Sequence, residues 1–316
     1  MIEIDNFFPL NNLKLLALEG ESEYEIPETI FTSNTLEELS LDYKDTTILS
    51  PKFFEIKTIR KLSLTFHHTK LLPDLFDKLP HLEYLFISAN ELESLPDSIS
   101  ECNLLKELSL EFMNKTNMPE SYNKLNNLKI LNLHDLDLDS FDKFNIIFNL
   151  TNLINLSLSA CSISFDLNKI NNLLNLKSLS LIELSYDYLN DNDYYDLNLS
   201  LSQELVELII IDVPFDLTLY RTQNLQYIWF ENIRNLHLPH SEIIFPQLST
   251  LLLFLPYWNY SFLNKFKRLN KLKFSYLQLE LTNLKDIIEN IEQVEFLYFD
   301  STQISKIDSE IDRLRN

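Results

Sequence analysis

The chain has 316 residues, 45% of them apolar and 12% aromatic, with a formal charge of −21 from 47 acidic and 26 basic side chains. That much apolar material can fill a large core and excludes disorder. An acidic chain without a basic run repels a phosphate backbone, so nucleic acid is excluded as a partner class. The single glycine, Gly20, excludes nucleotide cradles such as G-x-G-x-x-G, which need several glycines for close backbone approach.

The opening MIEIDNFFPLNNLK carries acids and asparagines where a signal peptide needs a basic and then a continuous apolar region. No uncharged apolar run reaches the 18 residues of a membrane span. Cys102 and Cys161 are too few for a multi-disulfide framework. The expectation is a cytoplasmic protein without a membrane span. No Pro/Gly/Ser-rich linker divides the chain, so residues 1–316 are expected to form one domain.

From Leu13 onward one pattern recurs. NLKLLAL, TLEELSL, TIRKLSL, HLEYLFI, LLKELSL, NLKILNL, NLINLSL and NLKSLSL share L-x-x-L-x-L, starting at Leu13, Leu36, Ile59, Leu82, Leu105, Leu128, Leu153 and Leu176. The pattern continues more loosely from Leu205, Leu225, Leu248, Leu269 and Val294. In L-x-L the two apolar side chains share one face of a short strand and the residue between them points the other way. One unit cannot bury its own leucines, but stacked units share a continuous core.

The pattern resembles the leucine-rich repeat family, L-x-x-L-x-L-x-x-N/C-x-L. The resemblance implies an α/β solenoid of about 13 repeats, a curved horseshoe with a parallel sheet on its concave face and irregular or short helical segments outside. The asparagine expected eight residues after the first leucine is Asn90 in one unit and Cys161 in another. Elsewhere it is Lys44, His67, Met113, Leu136, Leu184, Val213, Pro256 or Thr302, so irregular turns or more apolar packing are expected. In the fourth unit Leu92, Leu95, Ile99 and Leu104 mark further inward positions.

Chemically suggestive groups are sparse. His67-His68 and the pair His237 and His240 lack a reliable third ligand and read as surface histidines. His134-Asp135 has no nucleophile placed beside it by spacing. Cys161, on the ladder position, reads as a buried structural thiol. The acidic stretch SYDYLNDNDYYD, Ser185 to Asp196, fails as a calcium loop: started at Asp191, it puts Tyr195 fifth, Asp196 where glycine is needed and Ser202 where the bidentate glutamate belongs. It accounts for the excess length of a 29-residue unit. Residues 178–220 hold nine acids and no Lys or Arg, a field able to steer a basic partner. At the far end Ile304, Ile307, Ile311 and Leu314 have the spacing of a short helical turn.

The residues flanking the second and third leucines line the open face of the sheet. Over the first eight units they are mostly polar, apart from Tyr84 and Phe86. Thereafter they become Ile209 and Ile211, Tyr227 and Trp229, Leu252 and Phe254, Lys271 and Lys273, then Phe296 and Tyr298. A cluster of that kind marks an interface. Because LIII and LLLFL are apolar on both faces, a one-residue slip would exchange buried for open positions, and another segment of the chain could equally cover these strands. The resemblance implies a non-enzymatic scaffold that binds a protein partner on its concave face, and the acidic stretch would favour a basic one; the alternative is a regulatory or inhibitory subunit of an enzyme. No cofactor or metal is expected.

Overall fold

Each L-x-L becomes a strand with its leucines turned inward. The computed structural model describes residues 12–20, 28–43, 49–113, 118–138, 145–163, 166–185, 196–200, 202–220, 223–233, 235–237, 245–254, 268–275, 291 and 294–300. The chain divides into two compact units, Met1–Phe165 and Asp166–Asn316. Among the described residues, no helix is long and apolar enough to cross a membrane.

In the first unit the strands are β1 (Leu15–Gly20), β2 (Glu38–Tyr43), β3 (Lys61–Phe66), β4 (Tyr84–Ala89), β5 (Glu107–Met113), β6 (Ile130–Leu136) and β7 (Asn155–Ser159). They pair in parallel in sequence order. Matching positions such as Leu39, Leu62, Leu85, Leu108, Leu131 and Leu156 stack behind the sheet at 2% exposure or less. Most of the described returning segments are single 3-10 turns, among them Pro51–Glu55, Asp97–Glu101 and Glu120–Lys124, and the one before β7 is a short α-helix, Asn145–Asn149. Their inner side carries large side chains in each of these repeats: Phe31, Phe53 with Phe54, Phe76, Ile99 and Tyr122, all buried. The rings meet edge to face, Phe31 to Phe53 at 6.4 Å, Phe53 to Phe54 at 5.1 Å and Phe54 to Phe76 at 5.1 Å, the arrangement that ring quadrupoles favour. Leu92, Leu95 and Ile99 lie inside as the spacing requires, but Leu104 is 44% exposed. Leu105 takes the inward place, because the backbone turns at Asn103 and Leu104 before the next strand.

The second unit contains β8 (Ser178–Ile182), β9 (Asp196–Leu199), β10 (Glu207–Ile211), β11 (Asp216–Leu219), β12 (Tyr227–Glu231), β13 (Leu236–His237), β14 (Thr250–Phe254), β15 (Lys271–Ser275) and β16 (Phe296–Asp300). Strands β8, β10, β12, β14, β15 and β16 continue the repeat in parallel order, giving thirteen repeat strands over both units. Strands β9, β11 and β13 form a second parallel sheet on the returning segments. An extended segment rises about 3.3 Å per residue against about 2.0 Å in a 3-10 turn. Fewer residues therefore cross the outer side, which explains how the step from Leu205 to Leu225 closes in only 20.

The edge of β9 is covered by two asparagine side chains from the preceding 3-10 segment, Leu167–Asn172. The Asn168 amide accepts from the Asn198 N–H at 2.7 Å and donates to the Asp196 carbonyl at 3.3 Å. The Asn171 amide accepts from the Ser200 N–H at 2.9 Å and donates to the Asn198 carbonyl at 2.8 Å. Each side-chain amide thus supplies what a peptide group of a neighbouring parallel strand would.

The turns after the strands are of two kinds. In the units beginning at Leu36, Ile59 and Leu82 the alternation runs on, burying Tyr43, Phe66 and Ala89 and leaving Asn90 exposed. Asn90 is therefore not an inward ladder residue. From Leu105 to Leu225 the seventh residue after the leading leucine has positive φ: Phe112, Asp135, Ala160, Glu183, Asp212 and Asn232 lie between 45° and 57°. That left-handed residue resets the alternation, so the next one turns inward, burying Leu136, Cys161, Leu184, Val213 and Ile233. Its own N–H still joins the ladder: Glu183 donates to Ile211 at 2.8 Å, Asp212 to Glu231 at 3.0 Å and Asn232 to Phe254 at 3.1 Å.

Candidate protein-contact face

The open face of the second unit is set by strands that are apolar on both sides. Their register places Leu208, Ile210, Ile228, Phe230, Leu251, Leu253 and Leu272 inward at 2% exposure or less. Cross-strand neighbours on the open side are then Ile209, Trp229, Leu252, Lys273 and Tyr298 in one row. Glu207, Tyr227, Thr250, Lys271 and Phe296 form a second row. Ile209, Tyr227, Trp229, Leu252 and Phe254 are half-buried, whereas Phe296 and Tyr298 are 52% and 46% exposed. Ile211 departs from the sequence-based expectation. It is 8% exposed and offers little contact surface, lying between Ile182 and Glu231 in the sheet register where the chain turns into the left-handed Asp212.

Contacts within the face are loose. Trp229 and Phe254 have ring centroids 6.1 Å apart and tilted by 35°, and Lys271 Nζ sits 5.8 Å from the centre of the Tyr298 ring, within cation–π range. The indole Nε1 of Trp229 is buried, and the group that feels its N–H is the Glu231 carboxylate. Glu231, two residues on, has its pKa raised chiefly by burial and further by the Asp212 carboxylate, with the Trp229 N–H acting weakly the other way. Burial also pushes the Tyr227 hydroxyl up.

Tyr84 and Phe86 lie in the first unit, both half-buried. Tyr84 lines an open groove of about 300 Å³ with Glu37, Glu38, Arg60, Lys61, Glu83, Lys106 and Glu107. Apart from Glu107, whose carboxyl burial pushes up, these charges are paired. Lys14 pairs with Glu37 at 2.8 Å, Lys61 with Glu38 at 2.8 Å, and Glu83 lies between Arg60 and Lys106. A hydrogen bond from Lys106 and another from Arg60 hold the Glu83 carboxyl below its usual pKa. In a pH titration followed by carboxyl carbon NMR, Glu83 is expected to titrate below an ordinary glutamate. Lys106→Ala should move it upward, and an unchanged midpoint would show that the pair does not persist in solution.

The remaining sequence candidates have structural settings. His134 meets the Phe112 ring edge-on at 5.2 Å, and Asp135 is a left-handed turn residue. His68 Nδ1 lies 3.1 Å from Glu91 and His237 Nε2 lies 3.7 Å from Asp216. Cys161 donates to the carbonyls of Ser159 at 3.2 Å and Leu133 at 3.5 Å, and burial pushes its thiol up to about 11. It is a weak donor to the backbone rather than a thiolate nucleophile. Cys102 donates to Phe76 at 3.4 Å, with its pKa pushed up to about 12 by burial. Residues 186–195, His240 and residues 301–316 lie outside the described residues, and with them most of SYDYLNDNDYYD and the C-terminal isoleucine pattern. Among the described residues no group of three His, Cys, Asp or Glu is placed to hold a metal ion.

Similar solved structures carry the same repeat. A leucine-rich repeat protein of Leptospira interrogans aligns over 92% of this chain and 85% of its own, with 22% identity and a TM-score of 0.54. The fold is that of a leucine-rich repeat protein. The leucine-rich repeat chain also matches an internalin from Listeria monocytogenes, at 16% identity over 92% of this chain and 87% of that one, TM-score 0.55. In the mouse RP105/MD-1 complex the match has 19% identity over 94% of this chain, which spans 52% of the matched one, TM-score 0.63. No family model matches the chain, and no curated protein matches it either.

Proposed function

We propose that this leucine-rich repeat chain is a non-enzymatic scaffold that binds a protein partner across the open face of β10 to β16. The supporting observation is the row Ile209, Trp229 and Leu252, half-buried beside their neighbours and running on to the exposed Tyr298. Side chains in such a row have lost part of their freedom and hydration before any partner arrives, which lowers the cost of association. A structural neighbour of the same fold is seen in complex with MD-1, and scaffolding a partner is the corresponding role here. The two free, buried cysteines suit a reducing cytoplasm.

The test is affinity capture from the native cell with wild-type protein, Trp229→Ser and Phe296→Ser. Truncating an interface anchor costs at least about 2 kcal/mol at a hot spot, so capture of a stoichiometric partner should fall more than tenfold for Trp229→Ser at unchanged circular dichroism and melting temperature. Undiminished capture by both folded variants would remove this face from the interaction.

A further inference from the structure

The charges on the open side of the first unit follow the sheet register. At the entry to the strands Lys14, Glu37, Arg60, Glu83 and Lys106 alternate in sign from repeat to repeat, and each carboxylate bonds a cation of a neighbouring repeat. The next row begins the same way, with Glu38 bonded to Lys61 at 2.8 Å, and then breaks. Its order is Glu38, Lys61, Tyr84, Glu107 and Ile130. Glu107 therefore stands between a ring and an aliphatic side chain, where the alternation calls for cations. Among the described residues no lysine, arginine or histidine pairs with it.

The break coincides with the groove of about 300 Å³, which Tyr84 and Glu107 line together. Tyr84, Glu107 and Ile130 are all half-buried. Adjacent strands lie about 4.8 Å apart, so one long side chain laid across the row can touch all three. Burial pushes the Glu107 carboxyl up, and no cation offsets it. The Tyr84 hydroxyl is pushed up by burial and then by the Glu107 and Glu111 carboxylates, so the far end of the ring lies in a negative field. A partly desolvated carboxylate beside an aromatic ring attracts an organic cation. The groove's own cations are engaged, Lys61 by Glu38 and both Arg60 and Lys106 by Glu83.

We infer that this groove is a further docking site, on the first unit, for a protein segment that inserts a lysine or arginine. The cation bonds Glu107 and lies against the Tyr84 ring, and its alkyl stem covers Ile130. Such a guest supplies the charge missing from the row, and a pair partly shielded from water attracts more strongly than an exposed one. A small free amine gains less, because the groove is open and only the chain on either side of an inserted residue can lie along the sheet face. A metal ion fits less well, since the groups flanking Glu107 in the row are a ring and a hydrocarbon.

The experiment is selection of a random linear peptide library displayed on phage against the immobilised full chain, followed by titration of the enriched peptides and of spermidine. Wild type should enrich peptides carrying a Lys or Arg. Their affinity should fall roughly tenfold in Glu107→Gln and about threefold or more in Tyr84→Leu, at unchanged circular dichroism and melting temperature. Glu93→Gln, which removes the same charge from an exposed position, should change it by no more than about twofold. No enrichment of Lys or Arg, or equal affinity in wild type and folded Glu107→Gln, overturns the site. Peptides lost in Trp229→Ser yet kept in Glu107→Gln also overturn it, while leaving the contact face of β10 to β16 standing. Spermidine that binds as tightly as the peptides and is lost in Glu107→Gln overturns the protein segment as occupant.

Discussion

Phe53→Ala is expected to cost about 3–5 kcal/mol of unfolding free energy, the range for deleting a fully buried phenylalanine. Phe53 has no exposed surface and touches two other rings edge to face, Phe31 at 6.4 Å and Phe54 at 5.1 Å. Removing it opens a cavity in the aromatic stack behind the sheet and breaks both ring pairs. Because each repeat contacts only its neighbours, the loss should be local: amide exchange should accelerate first in β2, β3 and β4. Urea denaturation measures the total and hydrogen exchange its distribution. Leu104→Ala, at a 44% exposed position, is the control and should stay within about 0.5 kcal/mol. A Phe53→Ala effect as small as the control would mean that the stack does not contribute to stability.

The leucine spacing was legible because it is a two-state pattern: a residue in L-x-L is inside or outside, and stacking forces every unit to the same choice. That logic placed the inward leucines and separated Trp229 and Phe254 from Phe230 and Leu253. It also held at LLLFL and from Leu208 to Ile210, though not at Ile211, because neighbouring strands with one polar face propagate the register into them. The returning segments were less legible, since a 3-10 turn and a short strand can both cross the outer side and differ mainly in how many residues they use. The aromatic stack left a trace in Phe31, Phe54, Phe76 and Tyr122, spaced by 22 or 23 residues apart from the skipped Ile99, but aliphatic members dilute it further along.

The left-handed residues explain why the asparagine ladder misled. A fixed offset from the first leucine assumes one backbone path, and this chain has two. Where Asp135, Asp212 or Asn232 supplies a residue tolerant of positive φ, the path resets and the following position turns inward. Where Phe66 or Ala89 stands instead, the strand runs on and the same offset, His67 or Asn90, is not buried. Phe112, Ala160 and Glu183 adopt positive φ without that tolerance, the last two held by packing of the buried Cys161 and Leu184 that follow. The same reset at Asp212 left Ile211 covered, which counting in twos from Leu208 did not anticipate. At the contact face, the sequence showed the aromatic change after β8 but not the burial of the Trp229 N–H beside Glu231, because burial of one atom depends on several strands at once.

Asn168→Ala/Asn171→Ala is expected to destabilise the second unit by about 2–3 kcal/mol and to make the protein self-associate. Four hydrogen bonds to the backbone of β9 and the adjoining Ser200 disappear together. Each is worth about 0.5–1.5 kcal/mol net, and the total is reduced because water reaches the partly exposed edge. What water does not replace is the protection of that edge, since a strand with free N–H and C=O groups is a template for another chain. Asn171→Asp separates the two functions of the amide: it retains the acceptor for the Ser200 N–H, loses the donor to the Asn198 carbonyl and should fall between wild type and Asn171→Ala. Asn172→Ala, exposed on the same 3-10 segment, should change neither property. Chemical denaturation reports the first effect and light scattering against concentration the second. A double variant that remains monomeric and loses less than about 0.5 kcal/mol would show that the two asparagines follow the edge of β9 rather than hold it.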